Sequence, residues 1–558
     1  MTVTDNMWHL LNLALLFNTE GYLFPCLVLT TVLLIGAISK SKRKNDGLSH
    51  IPVLGPELGA KGRTNEFRYN AKAFLQRGYE EFNRNGKAFL IQTTEGPMVV
   101  LNSQQSSEVG SMPDHIVDNM RPNGRALMDS YTGYLDGDAV VFRILKTQLT
   151  TQLGDLGDIL AAQTDRCLIS EFQDCEDWAP VQILGRLTRI VAAVSTRVFV
   201  GEELTTDEEW LKTTIDYTVQ LVTCATILKH IPSVLRPVVY RFIPAYRKLQ
   251  GYNNAAIRMI KPIVQARREA MEDAEFSCGN DMLQWMLNER VKKKFHDKDY
   301  VYLAQLQLQL SFAATHTTSM AVTNMLYDLV AWPEYIDVLR AEVTEQLAAN
   351  SNSFRGNFVR NLYKMDSFMK ESQRHNPVGY TIMGRDTCQD VTLSDGLFLP
   401  KGTFVVANLY QITHDPDIVQ SDSDPNSFDG LRYYKMRNKL LKIGAGEKEV
   451  AGKHQFVSVS NSSMMFGYGK HACPGRFFAS NEIKIILAKL LVAFDFETPA
   501  GVTGRYESSC CINRDKRTRI STPSSDSVCD ALSRRKGPPE SFDIAFAVFS
   551  NSLTAQGS

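Results

Sequence analysis

Apolar positions recur at helical spacing through most of residues 66–500, and they predict a chain built mainly of helices. The longest such run, Asp299–Val330, is free of proline and would extend about 48 Å as a helix. Leu303, Leu306, Leu310, Ala313, Ala314 and Thr317 trace one face of it, and Trp332-Pro333 ends it. A second stripe runs through FFASNEIKIILAKLLVAF, with Phe477, Ile483, Leu487 and Leu490 on one side. Strand-like stretches are fewer: Ala88–Gln92 with Met98–Leu101, Val391–Leu393 with Leu397–Leu399, and Phe404–Ala407. The pattern predicts a mainly α fold with small β-sheets.

The two ends break this pattern. Gly21–Ile38 is 18 residues without a charge, just enough to cross a hydrocarbon layer of about 30 Å as a helix. Lys40, Lys42, Arg43 and Lys44 follow it, an order that predicts a signal anchor with the remaining chain in the cytosol. A cleaved signal peptide would carry its charges before the apolar run. Beyond Val502 no period is clear, and Ser, Arg and Pro accumulate (RTRISTPSSDSV, SRRKGPP), which predicts a poorly ordered tail. The expected division is therefore an anchor over 1–45, a globular body over 46–502 and a divergent tail over 503–558.

Composition narrows the chemistry. With 61 basic and 61 acidic residues the chain has no net field to attract phosphate, so no nucleic-acid partner is expected. The 10 cysteines lie far apart except for Cys510-Cys511, and no C-x-x-C occurs, which argues against a disulfide scaffold, a zinc ribbon or a redox pair.

One cysteine stands in a special context. In Phe466-Gly-Tyr-Gly-Lys-His-Ala-Cys473-Pro-Gly-Arg-Phe477 two glycines precede it and a proline suited to a first helical turn follows. Cys473 thus sits just before a helix N-terminus, where free N–H groups favour a thiolate, a strong axial ligand for haem iron. Taken singly it would read as a buried structural cysteine. Elsewhere Glu371-Ser-Gln-Arg374 places carboxylate and guanidinium on one helical face, and Ala313-Ala-Thr-His316-Thr317-Thr lies within the longest run.

Together these residues resemble the cytochrome P450 family over roughly residues 50–500. Phe466, Gly469, His471, Cys473 and Gly475 match its haem-binding loop, F-x-x-G-x-[RH]-x-C-x-G. Glu371 and Arg374 match its E-x-x-R helix, and Arg432 in Phe-Asp-Gly-Leu-Arg-Tyr matches the third member of that structural set, with Gly430 where the family has Pro. Thr317 matches the threonine of the oxygen-activating groove, but His316 stands where the family has an acid and Ala314 where it has glycine. A histidine can still relay protons near pH 7. By the same resemblance His471, Arg385 and Lys146 are expected to hold the haem carboxylates, although Phe142 and Lys146 depart from the family's W/H-x-x-x-R.

The resemblance implies a P450-like fold behind an N-terminal transmembrane helix, a haem b cofactor ligated by Cys473, and a monooxygenase reaction on a lipophilic small molecule. Electrons would come from NADPH through a separate P450 reductase, docking on the cysteine face near Lys470, Arg476 and Lys484. The variant motifs look most like fungal enzymes that tailor secondary metabolites, terpenoids included. The anchor implies the endoplasmic-reticulum membrane, single-pass, with Ile231–Ile243 as an apolar access region dipping into it. Two alternatives stay open: a haem-thiolate isomerase or dehydratase needing no O2, which rests on His316, and a non-catalytic haem or lipid carrier.

Overall fold

The computed structural model describes residues 47–134, 139–173, 178–272, 279–292, 295–497, 505 and 518–521. The expected anchor, Gly21–Ile38, lies outside them, and among the described residues no helix is long and apolar enough to cross a membrane. The main helices are α1 (Thr150–Phe172), α2 (Ile183–Phe199), α3 (Glu208–His230), α4 (Pro244–Ala270), α5 (Lys298–Ala331), α6 (Tyr363–His375), α7 (Arg432–Lys442) and α8 (Arg476–Ala493). The predicted long run is α5, and it forms the axis of the fold: α2, α3, α4, α6 and α8 all pack against it. Leu303, Leu306 and Leu310 are buried in that packing, as their spacing requires.

The strands form three small sheets, with orders β1-β2-β8-β5-β3, where β3 is Val117–Asp118, then β4-β10-β9 and β6-β7. The expected hairpins are present: β1 (Phe89–Thr93) pairs antiparallel with β2 (Gly96–Leu101), and β6 (Val391–Thr392) with β7 (Phe398–Leu399). The predicted Phe404–Ala407 run is β8 (Phe404–Asn408), parallel to β2. The strand segment expected after Pro377 around Arg385 is β5 (Thr381–Thr387), although TIMGRDT does not alternate and periodicity alone does not show it. Its pairing with β8 slips between Ile382 and Arg385, where Met383 has a φ of 60°. Such an irregularity re-aims the side chains that follow it, here Arg385.

The C-terminal stretch expected to lack order contributes β10 (Thr518–Ser521), which pairs with β4 (Ala179–Val181) and β9 (Asp495–Glu497). Arg505 also donates to Asp328, a buried carboxylate on α5, and its Nη2 bonds Asn324 Oδ1 at 3.0 Å. A composition that cannot build a core can still supply single long-range partners to one.

Candidate active site

The loop before α8 is held by its own backbone. The Cys473 N–H donates to the Phe466 carbonyl at 2.7 Å, and the Phe466 ring packs edge-on against Phe456 at 5.2 Å. Gly467 and Gly469 adopt φ of 80° and 65°, the left-handed region that favours glycine. A Cβ on Gly469 would meet the carbonyl oxygen of Gly110 at 2.8 Å, so the loop also needs glycine there for clearance.

Cys473 is exposed, and desolvation by the neighbouring protein pushes its thiol up. The N–H groups of Gly475 and Arg476 and the Arg476 guanidinium act against the shift. The net direction is upward, and a bound metal cation would favour the thiolate.

On α5, Ala313 is exposed and Ala314 and Thr317 are half-buried, although most of that helix is covered. This stretch of small side chains is an open part of an otherwise covered helix. The Thr317 hydroxyl donates back to the Ala313 carbonyl at 2.8 Å. Its lone pairs remain to accept, and rotation about Cβ–Oγ1 can turn the proton outward.

Arg385 is buried, bonded to Asn119 and to the Gly384 carbonyl. Burial lowers it to about 10, so it stays cationic at neutral pH. Among the described residues no carboxylate lies in ion-pair contact with it. A buried cation without a contacting anion is costly, and a haem carboxylate would supply one. With a soft sulfur donor, this cation and the small-residue face of α5, the residues present fit a haem.

The remaining expected contacts divide. His471 Nε2 lies 2.5 Å from Asp114 Oδ1 and Lys470 Nζ 3.0 Å from the same oxygen, which holds the Asp114 carboxyl below its usual range. Lys146 is exposed on the π-helical turn Leu145–Leu149. Lys484 does not belong to a docking face: it is buried and paired with Asp366 at 2.5 Å. Asn119 escaped sequence reasoning, since nothing near it in the chain points to Arg385.

His316 departs most from expectation. Its ring is 3% exposed, its Nε2 lies 3.3 Å from the Ile215 carbonyl of α3, and burial lowers its pKa to about 4. It is neutral at pH 7 and turned away from the face that carries Thr317, so the structure corrects the expected proton relay near pH 7. The helical step of about 100° between neighbours was the available signal.

Behind the cysteine the expected structural set assembles. Glu371 accepts from Arg374 Nε and Nη2 at 2.8 and 2.7 Å and from Arg432 Nε at 3.1 Å, with all three residues buried. The Asp429 N–H adds a bond at 3.0 Å. Burial would raise the Glu371 carboxyl, but the bonds from Arg374 and His375 and the nearby Arg432 hold it far below the usual carboxylate range.

Comparison with known proteins agrees with this geometry. Residues 143–509 match the Cytochrome P450 family model. The chain is 33% identical to Cytochrome P450 monooxygenase braC of Annulohypoxylon truncatum over 86% of its length and 93% of that protein. It is 32% identical to Cytochrome P450 monooxygenase paxP of Penicillium paxilli, over 86% of this chain and 90% of that one. Identity to Ent-kaurene oxidase P450-4 of Gibberella fujikuroi is 33%, covering 78% and 83%. By its cysteine loop, its buried Glu–Arg–Arg set and these matches, the chain belongs to the cytochrome P450 family.

Proposed function

We propose that this enzyme is a membrane-anchored haem-thiolate monooxygenase that inserts one oxygen atom from O2 into a lipophilic, terpenoid-like intermediate of a secondary-metabolite pathway. The observation that carries the reading is the combination of Cys473, held just ahead of α8 by its bond to the Phe466 carbonyl, with the small-residue, threonine-bearing face of α5. When bound, haem b supplies oxygen activation. Cys473 would hold the iron, and Arg385 would neutralise a haem carboxylate. His471 and Lys146 remain expected partners of the same carboxylates, His471 by exchanging its bond to Asp114. Thr317 orients and passes protons through its hydroxyl. Ala313 and Ala314 leave room beside it.

Electrons come from NADPH through a separate reductase, and Lys470 and Arg476 are the cations of the cysteine face left for its docking. The substrate class follows from similarity to an ent-kaurene oxidase and from an apolar entrance. Val234, Leu235, Val238 and Phe242 are 49%, 51%, 68% and 69% exposed in the segment between α3 and α4. A run this apolar fits a lipid surface, consistent with an anchor at Gly21–Ile38 in the endoplasmic-reticulum membrane. The isomerase alternative loses its one support, because His316 does not share the Thr317 face.

The test is the absorption band of the reduced, carbon-monoxide-bound protein. A thiolate-type Soret maximum, lost in Cys473→Ala, is the expected outcome. Persistence of that band in the variant would move the ligand elsewhere, and product formation without O2 would replace the monooxygenase with an isomerase.

A further inference from the structure

His316 stands one residue from Thr317 but serves a different helix. Its Nε2 faces the Ile215 carbonyl of α3 at 3.3 Å, with the ring buried. A carbonyl oxygen only accepts, so Nε2 must carry the ring proton. Burial keeps the imidazole neutral at pH 7, against the opposing pull of the Ile215 carbonyl and Asp216. The Asp216 charge is itself engaged, by Lys212 Nζ at 3.1 Å and by the Tyr252 hydroxyl of α4 at 3.1 Å. An ionised acid at position 316 would oppose its negative oxygens to the Ile215 carbonyl. This environment calls for a neutral donor.

The bond also sits at a mechanical junction. Tyr252–Asp216 ties α3 to α4, as does Gln220 Nε2 to the Ala245 carbonyl at 2.9 Å. Between those two helices runs the exposed apolar segment with Leu235, Val238 and Phe242. A polar link from α5 to α3 therefore adds a directional contact to the packing of α3 and α4 on the helix that carries Thr317.

We propose that His316 is a positioning residue, which locks α3 against α5 by donating from Nε2 to the Ile215 carbonyl and so sets the substrate space beside Thr317. The role rests on the monooxygenase reading of Thr317. It predicts that a non-titrating donor of similar reach will substitute for the histidine, whereas the acid usual in the family will not.

The experiment compares His316→Gln, His316→Ala and His316→Asp as haem-loaded proteins. The spectral dissociation constant for ketoconazole, a bulky azole that enters from the substrate side, is titrated for each. Product formed per NADPH is followed between about pH 6 and pH 8 with ent-kaurene as probe substrate. Losing one buried hydrogen bond predicts roughly tenfold weaker azole binding in the Ala and Asp variants. The Gln variant should bind within about twofold of wild type and keep a flat pH profile. Tight azole binding by His316→Ala would overturn the proposal. So would a His316→Gln protein that binds normally yet diverts NADPH electrons to hydrogen peroxide, since that marks a proton carrier. The azole titration needs neither O2 nor turnover, so it decides this role even if the monooxygenase reading fails.

Discussion

Two regions of the molecule are built on opposite principles. In one, Glu371, Arg374 and Arg432 bury three full charges and satisfy them repeatedly: Arg374 Nη1 also reaches the Thr413 and Pro425 carbonyls at 2.8 and 2.6 Å, and Arg432 Nη2 the Asp424 and Ser427 carbonyls at 2.9 and 2.8 Å. By contrast, the segment between α3 and α4 leaves Val234, Leu235, Val238 and Phe242 in solvent, and Arg236 bonds only carbonyls close to it in the chain, those of Ile231 and Lys229. A buried ionic network fixes one geometry, because each removed partner strands another charge. An exposed apolar segment fixes none until a lipid surface or a substrate covers it. The fold thus concentrates rigidity in the Glu371–Arg374–Arg432 network and leaves adaptability in the exposed apolar segment.

Breaking the rigid side should give the largest effect. Arg374→Ala leaves Glu371 with a reduced set of donors in a fully buried site, a loss of about 3–5 kcal/mol for a broken buried pair. Expression should yield little haem-containing protein, and normal haem content per chain would show that the network is dispensable.

Thr317 belongs to neither region, and its removal should separate oxygen consumption from product. Thr317→Ala deletes the hydroxyl now bonded to Ala313 without touching the buried network, so haem content should hold. Product per NADPH should fall about tenfold, equivalent to about 1.4 kcal/mol of barrier, with hydrogen peroxide making up the difference. Unchanged coupling would send the proton route through another group.

How far the sequence announced this division depends on the range of each interaction. The Glu371–Arg374 pair is legible because helical spacing of three residues places both on one face, and the β1–β2 hairpin because its strands are adjacent in the chain. Arg432 and Thr317 came through resemblance. Arg505 on Asp328 and β10 beside β4 were invisible, since nothing local announces a partner more than a hundred residues away. His316 was misjudged for a different reason: it was read by its neighbour's role instead of by its own direction around the helix.

On the adaptable side the expected effect is smaller. Replacing Leu235, Val238 and Phe242 together by Ser removes exposed apolar surface that the folded protein does not use in its core. In a protein lacking residues 1–45, that triple change should release the body from phospholipid vesicles, with the haem spectrum and thermal midpoint preserved. Continued vesicle binding would place the membrane contact on another surface.

The smallest effect returns to the rigid side and tests whether its burial is uniformly favourable. Glu482 on α8 is fully buried, accepts from the Ser195 hydroxyl of α2 at 2.7 Å, and leaves Oε2 without a hydrogen-bond partner. Burial raises its carboxyl to about 8, with the Ser195 bond acting weakly the other way. Because the folded state binds the proton more tightly than the unfolded chain, stability is fully present below the ordinary value near 4.5 and declines as pH rises toward 8. Glu482→Gln removes the titration and keeps the shape. Its thermal midpoint should match wild type near pH 4.5 and exceed it by a few degrees near pH 8, with the haem spectrum unchanged. Parallel curves over that range would show that Glu482 titrates alike in the folded and unfolded states, so that this buried face of the cysteine helix tolerates a charge.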